Sequence, residues 1–488
     1  MVFIAFLCFI VNVYSETDER IKRDSLVSNG EIRAAIPYAK AAMAKYGLRA
    51  EDRHVLARLL SWTNQLEASL LQYDTLLSEQ PNDTLVRLEK ARILGWMGRH
   101  TESITEYKTC CLSDSETPNF FEYKFKDALW KGKITKAMQY LSRLVVMSPE
   151  QTSHLFDQGQ LFAGFGKNTE ALNVFGKILE KEPKNLNSLY AFNAVQKRQK
   201  GYTVELTTQY WQARSLERMV DVAYLNSSIY GKKNVTDNIQ LNLNYALNHF
   251  GFNSINKLDH DFSLSASYAN IPEVSFTTNL TLNTKENGAS MLLGSVYGSQ
   301  RILDMIQIEE MVARRRLYTN KNLYDFNANE YVAQARIKFL INRFLDGSLF
   351  CQYSDIYDGN SSITTQAATS VTVLPYPRLA QLVFAVENWH YDKVATEYFS
   401  PQQYRFASII ARHHKSFSPE GLFLGARQFV LKVEMEEIVD NNKEFTHRPF
   451  IAFKADLRGR MYAEIASRLT SSKYYDDLSI NFNLGGIF

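Results

Sequence analysis

Cysteine is scarce in this chain of 488 residues: it has four, and their spacing gives neither a disulfide framework nor a zinc site. We expect them to behave as small buried apolar residues. Charge is nearly balanced, with a formal net charge of +3, which argues against a protein held on nucleic acid by phosphate contacts. The sequence also lacks a phosphate-binding loop, a Cys-x-x-Cys pair and a metal-spaced histidine cluster. We therefore expect neither a cofactor nor a metal site.

Long apolar runs are absent too, apart from Val2–Val13 near the start. This run is too short for a transmembrane helix, which needs about 20 residues, but it fits the apolar region of a signal peptide. Val13 and Ser15 occupy the two positions at which a signal peptidase requires small residues. We therefore expect a signal peptide at residues 1–15, cleaved before Glu16. If the mature chain lies in a membrane, it must cross by a route other than an apolar helix.

The first two hundred residues contain a repeat of 34 residues, marked at its end by Pro149 and Pro183. Stepping other residues by the same interval aligns glycines, small residues, aromatic or large apolar residues, and aliphatic residues. The aligned positions are Gly98, Gly132 and Gly166; Ser69, Ser103, Ala137 and Ala171; Tyr73, Tyr107, Leu141 and Phe175; and Leu76, Cys110, Leu144 and Ile178. This pattern predicts pairs of antiparallel helices, with small residues at close crossings and a proline that ends each second helix.

The repeat resembles the tetratricopeptide repeat family, over about residues 50 to 185 as four units. A half unit at Glu31–Tyr46 precedes them, and a capping helix at Leu186–Arg198 follows. The resemblance implies a helical domain at residues 28–200 whose concave face holds a peptide or partner protein. A helical spacer that binds nothing specific is the alternative.

After Gly201 the hydrophobic period changes to two, which predicts strands. In the clearest example, Ile239–Asn248, Leu241 and Leu243 share one face while Asn242 and Asn244 share the other. A soluble sandwich also alternates, but the predicted strands are about 10 to 14 residues long, against roughly 5 or 6 in soluble proteins. Tyrosines near strand ends are typical of the girdles of a membrane barrel. They are Tyr318, Tyr331, Tyr353, Tyr398, Tyr404, Tyr474 and Tyr475.

The chain ends in an alternating run that places Phe482 and Phe488 on the apolar face. A terminal phenylalanine on such a strand resembles the signature of bacterial outer-membrane barrels, which implies recognition by the barrel assembly machinery. We therefore predict an α + β multidomain fold: an all-α tetratricopeptide-type solenoid followed by an antiparallel transmembrane barrel at residues 203–488. We expect about 14 to 16 strands, with 16 favoured. The predicted location is the bacterial outer membrane, with the repeats in the periplasm.

A barrel of that size encloses water, so charged residues on the polar face are tolerated. The candidates for lumen-facing positions are Arg336, Lys338, Lys454, Asp456, Arg458, Glu464 and Arg468. Each of them has an alternative interpretation, in which it pairs with a neighbour and has no role in transport.

Helical repeats before a C-terminal barrel, together with the segment Tyr398, Phe399, Ser400, Pro401 and Gln402, resemble outer-membrane porins for secreted polysaccharide. These are the poly-N-acetylglucosamine and cellulose export porins, and the smaller YaiO-type barrels are also similar. The resemblance implies passive export of a hydrated polymer, with a periplasmic protein or the polysaccharide bound to the repeats.

Two other functions stay open at this point: a structural outer-membrane protein with a closed barrel, and a lipid- or sugar-modifying barrel enzyme. An enzyme would need a nucleophile or carboxylate beside a histidine. The available histidines are His249, His260, His390, His413 and His414. None stands in a recognisable constellation, so we expect no enzymatic activity.

Overall fold

The computed structural model describes residues 18–47, 49–63, 65–111, 116–215, 221–252, 255–270, 274–302, 304–342, 344–374, 378–417, 428–457, 461–473 and 475–488. The predicted signal peptide and Arg458 lie outside these ranges. Contacts divide the chain into two compact units, Met1–Asp127 with Ile178–Leu189 and Ala128–Lys177 with Tyr190–Phe488. Among the described residues, no helix has the length and apolar character needed to span a membrane.

Helices occupy the first part of the described chain. They are α1 Glu19–Ser28, α2 Ile32–Tyr46, α3 Ala50–Trp62, α4 Leu66–Glu79, α5 Thr84–Trp96, α6 His100–Thr109, α7 Pro118–Trp130, α8 Ile134–Met147, α9 Thr152–Gly164, α10 Asn168–Lys181 and α11 Leu186–Lys200. The predicted half unit corresponds to α2, and α1 is an additional helix that pairs with it. The predicted capping helix corresponds to α11.

The small residues of the repeat lie where the helices of a pair cross. Ser69 and Ser103 are fully buried, and their hydroxyls donate to the backbone oxygens of Ala57 at 2.7 Å and of Ala91 at 2.5 Å. These two bonds are equivalent in successive repeats. The turn glycine Gly98 has a φ of 76°, in the left-handed region that a side chain disfavours. The predicted repeat is therefore confirmed in its packing as well as its spacing.

The second unit contains α8, α9 and most of α10 and α11 before the strands begin. Gly132 and Gly166 have φ values of 73° and 74°, as Gly98 does one repeat earlier. Gly159 of α9 packs against the ring of Phe175, and a Cβ there would lie only 2.6 Å from the ring. Close helix crossing is thus the reason for a small residue at this position of the repeat.

Within the described residues, sixteen antiparallel strands follow and form one closed barrel, which confirms the predicted strand number. They are β1 Tyr202–Ser215, β2 Asp221–Asn234, β3 Ile239–Phe252, β4 Ile255–Asn270, β5 Val274–Lys285, β6 Ser290–Ile302, β7 Ile306–Arg316, β8 Asn329–Asn342, β9 Leu345–Ile356, β10 Ser361–Leu374, β11 Arg378–Tyr391, β12 Tyr404–Ser416, β13 Gln428–Asp440, β14 Phe445–Leu457, β15 Met461–Ser472 and β16 Tyr475–Ile487. A short helix, α12 Lys321–Asp325, lies between β7 and β8.

Pairing of the first and last strands closes the barrel. Thr203 lies opposite Ile487, and the register continues to Ser215 opposite Tyr475. Beyond it, Tyr202 and Phe488 exchange two backbone hydrogen bonds of 2.8 Å. Among the described strands, closure therefore leaves no edge strand, which is the condition for a sheet in lipid.

The two faces of the barrel differ in polarity. Tyr245 lies opposite Phe262 on the outer face, where Leu243 and Phe262 are 65% and 55% exposed. Asn242 lies opposite Ser265 on the inner face and is 5% exposed. An apolar outer face on a closed barrel is the arrangement of a membrane-spanning barrel.

Three of the tyrosines predicted for the girdles do not lie on the outer face, and one of them is Tyr404, which lies opposite Trp389 on the inner face. Tyr331 and Tyr353 lie on the outer face, 54% and 47% exposed. Tyr318 and Tyr398 instead fold into one mouth of the barrel, so the prediction is wrong for them and for Tyr404. Tyr474 is outside the described residues.

Candidate functional site

Uncharged amides and hydroxyls on the inner face of β2 to β6 bond to one another across strands. Asn226 donates to Asn248 at 2.6 Å, Asn242 donates to Ser265 at 2.8 Å, and Ser263 and Thr281 lie 2.8 Å apart. A surface of this kind interacts with polar solutes through hydrogen bonds rather than charge.

The inner face of β12 to β15 carries charges instead, and these form pairs. Arg412 and His414 both approach Glu434 at 3.3 Å, and Lys432 lies 3.1 Å from Glu464. Because the pairs are partly exposed to the lumen, they set a local field more than they stabilise the barrel.

The predicted lumen-facing residues fall into two groups. Arg336 and Lys338 are on β8, where Arg336 lies opposite Glu309 and Nζ of Lys338 lies 2.5 Å from Oε1 of Glu309. Lys454 on β14 lies opposite Glu464 on β15.

Two further predicted residues occupy the same wall as Lys454. Asp456 lies opposite Tyr462, and the Arg468 guanidinium lies 5.3 Å from the centre of the Phe450 ring. The partners Glu309, Lys432 and Glu434 were not predicted, because strand register brings them into place. The part of each residue in transport stays a prediction.

At the end of the barrel where β1 begins, called here the helical end, helix N-termini bond to strand turns. The backbone N–H of Thr135, at the start of α8, donates to Asp304 at 3.0 Å. The backbone N–H of Thr169, at the start of α10, donates to Asp237 at 2.8 Å. Thr135 and Thr169 are 34 residues apart, so successive repeats use the same position to bind the barrel.

The end of α11 also lies in this mouth. Arg198 donates to the backbone oxygen of Ala163 at 2.8 Å, and Asn234 of β2 donates to the backbone oxygen of Arg198 at 2.7 Å. Burial lowers the pKa of Arg198, while Asp456 opposes this effect. The helices α8, α10 and α11 are therefore bonded to the mouth of the barrel.

At the opposite end, called the far mouth, the connection 317–328 folds inward over the lumen. Its α12 residue Tyr324 is 3% exposed and packs against Phe250 and Phe252, with ring centres 5.2 Å and 5.5 Å away. Its neighbour Leu323 is 1% exposed and packs with Ile356 and Tyr391. The connection thus contacts inner-face residues of well separated strands.

A buried polar cluster lies beneath α12. The carboxylate of Asp259, on β4, has no exposed surface and pairs with the guanidinium of Arg316 at the end of β7. It also accepts a hydrogen bond from the hydroxyl of Tyr324, and Lys285 donates to the backbone oxygen of Tyr324. Arg316 donates in addition to Asn283 at 3.0 Å.

The segment Tyr398 to Gln402 belongs to a second connection, 392–403, at the same mouth. Asn360 donates to the Tyr398 hydroxyl at 2.9 Å, and that hydroxyl donates to Asp358 at 3.0 Å. Ser400 is 4% exposed and accepts from the backbone of Ala395 at 2.6 Å.

The rest of this segment is more exposed. Phe399 is 42% exposed beside Trp389, with ring centres 6.2 Å apart. The backbone oxygen of Gln402 lies 2.5 Å from Nδ1 of His390. Pro401, which precedes Gln402, is half-buried. The hydrogen bonds of this segment therefore fix the conformation of the connection 392–403.

The C-terminal residues and the remaining histidines are accounted for by the strands. Phe482 is 44% exposed on the outer face, and Phe488 is 78% exposed beyond the end of β16. On the outer face, Nδ1 of His260 lies 2.9 Å from the hydroxyl of Tyr245. His249 and His413 lie within β3 and β12.

In the helical repeats of the first unit, buried carboxylates connect successive helix pairs. Glu89 of α5 accepts a hydrogen bond from the Tyr73 hydroxyl at 2.9 Å and pairs with His54. Burial alone would raise the pKa of Glu89, but the hydrogen bond from His54 and the nearby positive charge outweigh it, so the pKa lies below its ordinary value.

Comparison with known proteins finds similarity of structure only. No family model and no curated protein matches the sequence. A bacterial polysaccharide outer membrane secretin is similar over 59% of this chain and 99% of its own, with 8% identity and a TM-score of 0.49. A tetratricopeptide-repeat protein of Thermus thermophilus covers 37% of this chain and 97% of its own, with 17% identity and a TM-score of 0.31.

A third similar structure, the monoaromatic hydrocarbon channel CymD, covers 60% of this chain and 91% of its own, with 9% identity and a TM-score of 0.33. Such identities report on fold and not on cargo. The class of protein is a membrane-spanning β-barrel, as its closed sheet and apolar outer face require. Within that class, the chain carries tetratricopeptide-type repeats ahead of 16 strands.

Proposed function

We propose that the protein is an outer-membrane channel for a hydrated polar polymer. The observation that carries the proposal is the closed barrel of 16 strands with an apolar outer face and a polar inner face. Barrels of this strand number leave an aqueous lumen rather than a packed core. In this proposal the channel does not drive transport. Passage is passive, and the polymer is synthesised elsewhere.

A secreted polysaccharide is the cargo we favour, on the resemblance to export porins and on the chemistry of the lumen wall. Asn226, Asn242 and Ser263 present amides and hydroxyls that exchange hydrogen bonds with sugar hydroxyls as water does. The charged wall of β12 to β15 pairs its own charges, so it does not require a cargo of one sign.

The helical repeats would serve this channel from the periplasm. Because Thr135 and Thr169 hold the starts of α8 and α10 to turns at the helical end, a ligand bound to these two helices is kept close to that mouth. We propose a periplasmic protein or the polysaccharide itself as the ligand. Short turns at the periplasmic side are typical of bacterial barrels.

Ionic current through the purified full-length protein in a planar bilayer tests the channel. A variant with residues 318–327 replaced by a short Gly-Ser linker removes the segment that covers the far mouth. We expect this variant to conduct, and neutral oligosaccharides added to the helical side to reduce the current with rising concentration. Heat-modifiable migration on a gel shows in parallel that the barrel is folded.

A structural outer-membrane protein with a closed barrel is the second candidate. The connection 317–328, which lies over the far mouth with Tyr398 packed against it, favours this candidate. A folded, linker-bearing variant that passes no current would decide for this candidate and against transport.

A further inference from the structure

The connection 317–328 bridges opposite walls of the far mouth. Its residues Tyr318 and Tyr324 pack with Trp211, Val222 and Phe250, which belong to β1, β2 and β3. A separate contact group on the other side joins Leu323 to inner-face residues of β9 and β11. In a ring of 16 strands, β2 and β10 stand eight strands apart and so face each other. A segment that contacts both sides lies across the opening.

We propose that residues 317–328 form a lid that closes the far mouth at rest and swings outward when cargo passes, with the carboxylate of Asp259 as its latch. This inference rests on the proposed channel function, because a lid regulates something only if the lumen conducts.

The two ends of the segment, called here its neck, lie side by side, so the segment can move as one body. The backbone N–H of Leu317 donates to the backbone oxygen of Ala328 at 2.8 Å, so the two ends of the lid are bonded to each other. The neighbouring strands β7 and β8 pair up to Arg316 opposite Asn329. Rotation about the neck therefore moves α12 while the strand pairing below it stays intact.

The chemistry of the latch suits a contact that opens. Arg316 and Tyr324, one at the neck and one on the lid, both bind the single carboxylate of Asp259. A buried ion pair adds less stability than apolar packing of the same volume, because both charges lose their hydration. A permanent plug would gain more from apolar side chains, whereas a polar latch regains hydration as soon as water enters.

A second contact ties the lid to the neighbouring connection on its outer side. Asn322 donates to the Glu397 carboxylate at 2.7 Å, and Asn320 donates to the backbone oxygen of Glu397 at 2.5 Å. Phe326 of the same connection is 70% exposed. Asp259 is buried, whereas the contacts of Glu397 with Asn320 and Asn322 are near solvent. We therefore expect loss of the Asp259 contact to loosen the lid most.

The experiment compares Asp259→Asn with Asp261→Asn in the full-length protein, both checked for heat-modifiable migration. Asp261 is on the same strand and the same face, and its carboxylate accepts from Asn248 at 2.8 Å and Asn283 at 2.6 Å, both on barrel strands. Two readouts are used: hydrogen exchange of the amides in 317–328, and open probability in a planar bilayer. We expect Asp259→Asn to speed exchange in the lid at least tenfold and to raise open probability, while Asp261→Asn changes neither.

A cross-link tests the same lid from the other direction. Phe252→Cys combined with Tyr324→Cys, in a background without the native cysteines, joins the lid to the wall on oxidation. Current that falls on oxidation and returns on reduction supports the lid.

The outcomes separate the lid from the channel. Unchanged exchange in a folded Asp259→Asn protein would overturn the latch, even if that protein conducts. Faster exchange without current, in this variant and in the linker variant alike, would keep the latch and overturn the channel.

Discussion

At the scale of single residues, Gly159 is a position where the helical repeats leave little room. A Cβ added there would lie 2.6 Å from the ring of Phe175, a distance at which the ring or the helix has to shift. Its neighbour Gly164 lies on the same helix, and a Cβ there would meet nothing within 4 Å. The two glycines therefore offer a matched pair for separating packing from helix propensity.

We predict that Gly159→Ala destabilises the helical region by about 1 to 3 kcal/mol, the usual cost of overpacking. Gly164→Ala should leave stability unchanged or raise it by up to about 1 kcal/mol, because alanine is the better helix former. The urea midpoint of the helical circular dichroism signal of the full-length protein measures both. Phe175→Leu should rescue Gly159→Ala; equal effects of the two alanines would show that crowding is not the cause.

Glu89 is a second residue whose environment has a measurable effect, here on the pH dependence of stability. Its pKa is held below the ordinary value in the folded chain, mainly by the hydrogen bond from His54 against the opposing effect of burial. The folded state thus binds this proton less tightly than the unfolded state. The resulting stability is complete above an unfolded pKa of about 4.3 and is lost as pH falls through the lower folded value.

We expect Glu89→Gln to lower stability at pH 7 by roughly 2 kcal/mol, the usual scale for hydrogen bonds to a charged group. The difference from the unsubstituted protein should shrink as the pH drops below about 4. Urea midpoints at several pH values measure it. Glu102→Gln, which breaks an exposed pair with Arg99, is the control and should cost less than about 1 kcal/mol. A constant difference across this pH range would contradict the assigned role of Glu89.

At the scale of elements, the turn of Asp304 and helix α8 form one unit. Asp304 is 8% exposed, has a φ of 57° and accepts from the backbone of Thr135 as an N-cap residue would. Aspartate and asparagine tolerate this left-handed conformation better than alanine does. The Asp304 side chain therefore has two roles: it suits the left-handed turn, and it caps the start of α8.

We predict that Asp304→Ala speeds hydrogen exchange in the first turn of α8 about fivefold, which corresponds to roughly 1 kcal/mol for the loss of a cap. Asp304→Asn should have a smaller effect, because it keeps an acceptor and the backbone preference. Mass spectrometry of peptides covering Ile134–Met147 measures the change, with α5 as an internal reference. Equal exchange in all three proteins would mean that other contacts hold the helix.

The elements also show how far the sequence leads. Spacing by 34 and alternation by two are local properties of the chain, and they predicted helices, strands and faces. Tyr318 and Tyr331 carry the same local signal, yet Tyr318 lies within the mouth and Tyr331 on the outer face. Asp259 and Arg316 are 57 residues apart, and only the fold of the connection brings them together. Register and loop placement depend on the closed barrel as a whole.

At the scale of the whole molecule, we predict that Phe488 acts in assembly of the barrel rather than in its stability. The side chain of Phe488 is 78% exposed, so it adds little to the packing of the folded chain. We predict that Phe488→Ala lowers the fraction of heat-modifiable protein in outer membranes several-fold. Phe453→Ala, which removes a ring 43% exposed on the outer face of β14, should leave that fraction unchanged. Equal assembly of both variants would contradict a recognition role for the terminus.

Closure is the property on which the channel depends, and the seam between β1 and β16 allows it to be tested by register. Thr207 lies directly opposite Asn483, whereas Asn481 lies two residues along the same face. Opposed residues on antiparallel strands have Cβ atoms about 5 Å apart and diagonal ones about 7 to 8 Å, and only the first suits a disulfide. In a background without native cysteines, we expect Thr207→Cys with Asn483→Cys to cross-link on oxidation. Boiling should then no longer give the migration of the open chain. Thr207→Cys with Asn481→Cys should stay reduced under the same conditions; cross-linking of both pairs, or of neither, would mean that the first and last strands do not meet in this register.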